Sequence, residues 1–357
     1  MSRDIFTKRR QALRTKLQES SLDAYLVLHP ANRYYLSCFE LQDPQCNESA
    51  GCLLLTSQGQ DFLLTDTRYA QQALSLWPEQ QLFIYRQDRN QRLKELLAEL
   101  GVQSLGFESR IMSYETYAAL QDQVAMQPCP GLAEELRKIK DQQEIQRLQE
   151  SCSLNHLVLQ RLEQELLRPG ISEQELAWAM EKLFRENGAS ELAFTPIVAL
   201  GQNAALPHHL PGPQQLQQDM PLLVDTGGRL RGYCSDQSRT YWLGAAPAEH
   251  FHKTLDLVRQ AQNLALQAIE PGLPVKDLYQ LVYDFFTAQG VAEHFTHALG
   301  HGIGLETHEA PSLGPRSQDI LQPGMVITIE PGLYYQEWGG VRWEYMVLVT
   351  EHGARVL

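Results

Sequence analysis

"PGLPVKDLYQLVYDFFTAQG" runs from Pro271 to Gly290, and its reading decides the fold. A Pro-Gly pair opens it, an amphipathic helical pattern fills it and Gly290 closes it. "PGISEQELAWAMEKLFRENG", from Pro169 to Gly188, has the same form over the same interval of 19 positions. Leu176 corresponds to Leu278, and Phe184 to Phe286. In the earlier copy Ser172 and Glu175 form a capping box, and Gly188 is placed to end the helix. Such punctuation is common around helices, so this match alone leaves coincidence open. The segment downstream of each copy favours duplication. "MPLLVDTGG" and "MVITIEPG" are both apolar runs that meet a carboxylate and then glycine. Asp225 precedes Glu330 by 105 positions, and Pro169 precedes Pro271 by 102. Two similar halves facing each other would gather acidic strand ends around one centre.

Two further acids sit in strand-like apolar surroundings, Asp236 in "YCSDQSRTYWLG" and Glu344 in "GVRWEYMVLV". Any one of the four acids alone reads as a solvent-facing strand residue or half of a salt bridge. Four of them, with a histidine cluster nearby, point to ligation, because buried carboxylates are rare unless paired or metal-bound. Oxygen-rich ligation with one imidazole suits Mn²⁺, Fe²⁺, Co²⁺ or Zn²⁺ rather than a thiolate zinc site.

The histidines lie in "HFTHALGHGIGLETHEAP", which holds His294, His297, His301 and His308. His297 and His301 have the spacing of two zinc ligands on one helix. The H-E-x-x-H glutamate is missing, however, and Gly300, Gly302 and Gly304 argue against a helix. Alternating glycines instead predict a strand or tight loop that another chain segment approaches closely. The dinucleotide spacing G-x-G-x-x-G is absent, as are a nucleophile elbow and a P-loop. "ALPHHLPG" offers His208 and His209 in a proline-bounded loop, as surface residues or as donors to a tetrahedral oxyanion.

The chain has 357 residues, 43% hydrophobic and 20% charged, with a net charge of −13. That composition predicts a soluble protein of two domains and disfavours nucleic acid as a partner. "MSRDIFTKRRQALRTKLQES" has no apolar core of a signal peptide, and no apolar run is long enough for a membrane span. The six cysteines, Cys38, Cys46, Cys52, Cys129, Cys152 and Cys234, form no C-x-x-C pair and read as reduced thiols of a cytoplasmic protein. The glycosylation sequon at Asn47 then carries no weight. "FTKRRQALRTKLQESSL" is helical, whereas "DAYLVL", "GCLLLTS", "DFLLTD" and "SLGFES" read as strands. "QPCPGL" marks a boundary, giving an α/β domain over 1–129 and a second domain over 130–357. A long helix begins the second domain, with a break near Asp141.

"VDTGGRLRGYCSDQSRTYWLG", "LGHGIGLETHEAP", "TIEPGLY" and "GVRWEYMVLVTEHG" together resemble the pita-bread-fold metallopeptidases, in the aminopeptidase P and prolidase branch. "NRYYLSCFE" and "LLTDTRYAQQA" resemble that branch's creatinase-like N-terminal domain. The resemblance spans nearly the whole chain. It implies an α+β protein whose C-terminal pita-bread domain is a pseudo-symmetric, curved antiparallel sheet covered by helices, with a smaller α/β domain before it. It implies two divalent metal ions, with Mn²⁺ ranked first and Co²⁺ or Zn²⁺ as alternatives. Asp225 would bind one ion, Asp236 and Glu344 would bridge both, and His301 and Glu330 would complete the second. His208, His297 and His308 match substrate-side histidines, and Arg342 matches an arginine supporting a bridging carboxylate. A metal-bridging hydroxide would attack the carbonyl before proline, with Glu330 moving the proton and His308 helping to hold the oxyanion. The implied substrates are small peptides with proline second, and the implied assembly is a homodimer. Three positions depart from the pattern. Ser312 stands where many relatives have an arginine, a role open to Arg316, Tyr345 replaces a polar residue, and Leu200 replaces a small one. A catalytically silent binding protein on the same fold is the alternative, and the intact ligand set argues against it.

Overall fold

The computed structural model describes residues 3–45, 48–86, 88–244 and 247–357, so Cys46 and the sequon's Asn47 lie outside it. The chain divides into two compact units, Met1–Arg137 and Lys138–Leu357. The described cysteines include no disulfide, and no described helix is long and apolar enough to cross a membrane.

The first unit is a mixed sheet of six strands. In spatial order they are Leu82–Tyr85, Asp61–Asp66, Cys52–Thr56, Ala24–Val27, Ser104–Phe107 and Ala125–Pro128. Ala24–Val27 and Cys52–Thr56 are buried throughout, as short unbroken apolar runs require of central strands. The Pro-rich stretch expected to be a boundary overlaps the end of this sheet's last strand, an edge strand in which Pro128's missing N–H costs no ladder bond. The helix Arg3–Glu19 buries Leu13 and Leu17 completely.

The second unit is built twice. Helices Gln142–Arg161 and Glu249–Ala268 each have 20 residues, and helices Glu173–Glu186 and Val275–Ala288 each have 14. Leu176, Phe184, Leu278 and Phe286 are all fully buried, so the matched positions of the two sequence copies are core positions. The hydrogen bonds repeat as well. Gly170 donates to Leu216 and Gly272 to Leu321, while Glu173 donates to Gln214 and Val275 to Asp319. Gly188 and Gly290, at φ 100° and 71°, end their helices in the left-handed region that glycine enters without steric cost. The break expected near Asp141 in the long helix is present. Asp141 accepts bonds from the Gln143 and Glu144 amides and starts a new helix with a capping box.

Each half contributes antiparallel strands. Met220–Thr226 pairs with Gln237–Leu243 on one side and Ile197–Leu200 on the other. Val326–Ile329 pairs with Tyr345–Thr350 and, through Gly302, with the short strand His301–Gly302. The register sets Asp225 opposite Ser238 and Ile329 opposite Tyr345. Asp225 and Asp236 therefore fall at one end of the first hairpin pair, and Glu330 and Glu344 at the matching end of the second.

Candidate active site

The four acids converge. Asp225, Asp236 and Glu344 are 8%, 4% and 1% exposed, too little for solvent to stabilise their charge. His301 Nε2 lies 3.4 Å from Glu330 Oε1 and 3.6 Å from Asp236 Oδ2. Asp225, Asp236 and Glu344 form one group with ligand atoms within 4.8 Å of each other, and His301, Glu330 and Glu344 form another. Asp225 Oδ1, Asp236 Oδ1 and Glu344 Oε1 are buried with no hydrogen-bond partner. A buried carboxylate oxygen without a donor costs several kcal/mol of lost solvation unless a cation meets it, on the order of 2–7 kcal/mol for a polar group in general. Three such oxygens turned to one centre fit divalent metal ions. Burial, reinforced by the neighbouring acids, pushes Asp236 and Glu344 well above the ordinary carboxylate range. Burial also holds Glu330 up at about 8. His301 is held down to about 4, first by burial and then by His308, so its ring is neutral as ligation requires.

Arg342 ties the acids to the cavity wall. Its guanidinium donates to Asp225 Oδ2 at 2.7 Å, Ser238 Oγ at 2.7 Å and the Tyr334 hydroxyl at 2.8 Å. Ser238 in turn donates to Glu344 Oε2 at 2.9 Å, and the Tyr334 hydroxyl meets His297 Nε2 at 2.9 Å. One cation thus orients two acids and, through Tyr334, a histidine. His297 is held down to about 4, mainly by burial and then by Arg342, and is neutral.

The glycines between the histidines are there for space. A Cβ on Gly300 would stand 2.0 Å from the Thr328 carbonyl oxygen, and one on Gly302 would stand 2.2 Å from that of Ala310. Neither has room for a side chain, so the expected close approach is present. Through this contact the His301 amide donates to Thr328 Oγ1 at 3.0 Å, and Thr328 donates to Glu330 Oε1 at 3.1 Å. The His301 and His308 rings meet edge to face with centroids 4.2 Å apart.

Asp225, Asp236, His301, Glu330, Arg342, His208, His297 and His308 all line one cavity of about 750 Å³, and Glu344, not itself on the wall, groups with these ligand atoms within 4.8 Å. The cavity wall also includes the apolar residues Phe194, Ile197 and Leu210. Ser312 lines this cavity, whereas Arg316 is exposed and is not part of its wall. His294 lies outside it, with Nδ1 3.1 Å from the Tyr334 carbonyl oxygen and its ring 4.0 Å from that of Tyr335.

Four residues that sequence reasoning passed over complete the arrangement: Ser238, Thr328, Tyr334 and Glu173. Thr328, a polar residue inside "MVITIE", carried a signal. The rest carried none, because their partners lie far off in sequence. Glu173, fully buried, accepts four bonds of 2.8 Å, from the Leu200 and Gly212 amides, Asn203 Nδ2 and His209 Nε2.

Known proteins carry the same two units. The metallopeptidase family M24 matches residues 146–351, and the creatinase/prolidase N-terminal domain matches residues 9–139. An uncharacterized peptidase of Bacillus subtilis (strain 168), YqhT, is 33% identical over 350 residues, covering 97% of this chain and 96% of that protein. The structure of an Xaa-Pro dipeptidase from Bacillus anthracis superposes with a TM-score of 0.92 at 32% identity, over 98% of this chain and 97% of the other. An X-Pro aminopeptidase from Thermotoga maritima MSB8 superposes with a TM-score of 0.86 at 27% identity, over 97% and 96%.

Proposed function

The chain belongs to metallopeptidase family M24, and from that membership we propose that it is an exopeptidase acting before proline. Its substrates are Xaa-Pro dipeptides or longer peptides beginning Xaa-Pro. The observation that carries this reading is the set of three orphaned carboxylate oxygens beside His301 and Glu330. Asp225, Asp236, His301, Glu330 and Glu344 would hold two divalent ions, Mn²⁺ by preference, with Asp236 and Glu344 shared between them. Four carboxylates against one guanidinium leave an excess of negative charge that two such ions would roughly neutralise. When bound, such ions supply water activation near neutral pH and stabilisation of developing negative charge.

The chain's own groups do the rest. Glu330, on the cavity wall with Oε1 3.4 Å from His301 Nε2, takes the proton from attacking water and returns it to the departing proline nitrogen. His308 and His208, both on the cavity wall, donate to the carbonyl oxygen as it gains charge. Proline's nitrogen carries no N–H, so a wall of apolar groups such as Phe194 and Ile197 suits its ring without leaving an acceptor unmet. The alternative of a silent binding protein on this fold finds no support in a complete ligand set.

The test is metal analysis of the purified protein, followed by hydrolysis of Ala-Pro and Ala-Pro-Ala after loading with Mn²⁺, Co²⁺ or Zn²⁺. Release of alanine from either peptide is the expected result. No release with any of the three ions, in protein shown to contain metal, refutes the proposal.

A further inference from the structure

One of the buried positions at which the two halves of the second unit differ concerns the cavity. Val275 is the first residue of its helix and is fully buried. Glu173 is the first residue of the matching helix and is also fully buried. Both backbones make the same bond, to Asp319 and Gln214 respectively. The fold is therefore satisfied by an apolar side chain at this place, and a buried carboxylate there answers to something else.

Its partners identify what. Glu173 Oε1 accepts from the Leu200 amide and Asn203 Nδ2, and Oε2 accepts from His209 Nε2 and the Gly212 amide, all at 2.8 Å. Burial works to raise its pKa, but these four bonds outweigh that and hold it below the ordinary range. The donors bracket the segment 200–212, which brings His208, His209 and Leu210 to the cavity wall. On its other side the same segment is held by Arg342, which donates to the Pro207 carbonyl oxygen at 3.3 Å. His208 thus stands between two anchors, one of them shared with Asp225.

We infer that Glu173 and His209 are positioning residues that fix His208 against the reacting carbonyl, through a buried carboxylate that clasps both ends of its loop. This rests on the assignment of His208 to the substrate side of a peptidase site. A charge-assisted clasp suits this task better than packing, because it fixes direction as well as distance. Glu173 touches neither metal ligand nor substrate, so its loss should spare metal binding and move only His208.

The test uses the full-length protein loaded with Mn²⁺, with Ala-Pro-Ala as probe. Glu173→Gln should lower kcat/KM by about tenfold or more, as displacement of a catalytic group by an ångström does, with metal content equal to wild type. In a His208→Ala background the same change should cost less than about twofold further, since residues acting through one another are not additive. A full second loss in that background, a loss of metal, or wild-type kcat/KM in Glu173→Gln would each overturn the inference. Hydrogen exchange gives a readout independent of substrate. Amides of residues 200–212 should exchange about tenfold faster in Glu173→Gln, with residues 300–309 unchanged. Unchanged exchange in 200–212 also overturns it, even if the wild type proves to cleave no Xaa-Pro peptide. Should Glu173→Gln not fold, His209→Ala carries the hydrogen-exchange expectation, because it removes one donor while the other three still hold the Glu173 carboxylate; exchange is the readout there because His209 itself lines the cavity.

Discussion

Replacing Arg342 with methionine separates the two kinds of cation this site is built for. The methionine fills much of the arginine's volume but donates nothing. Ser238 keeps its bond to Glu344, and Tyr334 keeps His297. Asp225 does not recover, because Oδ2 loses its 2.7 Å donor and Oδ1 has none to begin with. Removing one partner of a buried ion pair costs about 3–5 kcal/mol, chiefly from the charge left behind. For a unit the size of Lys138–Leu357, a loss of 1 kcal/mol lowers Tm by about 2–4 °C. Metal-free Arg342→Met should then melt roughly 6–20 °C below metal-free wild type. With Mn²⁺ bound, Asp225 regains a cation and the gap should narrow by half or more. Calorimetry after chelation and dialysis, with and without added Mn²⁺, reads both numbers. A metal-free gap below about 3 °C, short of the range worked from one uncompensated carboxylate, would show that Asp225 does not depend on Arg342. A gap as wide with Mn²⁺ as without it would show that Asp225 is not a ligand.

Asp236→Ala should abolish both bound metal and peptide hydrolysis, and a variant that keeps its metal by elemental analysis would remove Asp236 from the bridging role. In the metal-free protein, Glu330 holds its proton up to about 8, against an ordinary 4.5. Its contribution is therefore neutral below about pH 4.5, and stability falls as pH rises towards 8, by about 1.4 kcal/mol for each unit of pKa difference. Asp236 and Glu344 shift the same way. Metal binding requires these acids ionised, so the Tm difference between loaded and metal-free protein should widen from pH 5 to pH 8, and a constant difference across that range would contradict the assignment. Gly302→Ala places a methyl group 2.2 Å from the Ala310 carbonyl oxygen. It should cost about 1–3 kcal/mol in chemical denaturation and lower kcat/KM by displacing His308, whereas a wild-type midpoint and rate would mean the strand yields freely.

Much of this arrangement was legible because the physics that makes it is local. Strand ends that bear carboxylates, glycines that flank His301, and proline–glycine punctuation at matched intervals all obey short-range rules. The repeat matched Leu176 with Leu278 and Phe184 with Phe286, and all four are core residues. Glu173 was hidden inside a capping box formed by its neighbours Ser172 and Glu175. Its own partners lie 27 to 39 positions away, and two of the four are backbone amides, which carry no residue signature. Tyr334 and Ser238 were hidden for the same reason. Each joins groups that were recognised singly, and the joining depends on strand register. Sequence proximity to Ser312 does not put Arg316 on the cavity wall.

The division of the acids between two hairpins also orders events during synthesis. Asp225 and Asp236 emerge first, with their strands able to pair at once. Arg342 and Glu344 emerge more than a hundred residues later. At about 5–20 residues per second this interval lasts roughly 6 to 24 s. Throughout it the first two aspartates have neither their guanidinium nor the second pair of acids. A nascent chain would therefore offer only half of the proposed ligand set. The set would be complete only once the second hairpin has closed on the first, and choice of metal would then fall to the finished cavity rather than to whatever ion the emerging chain meets.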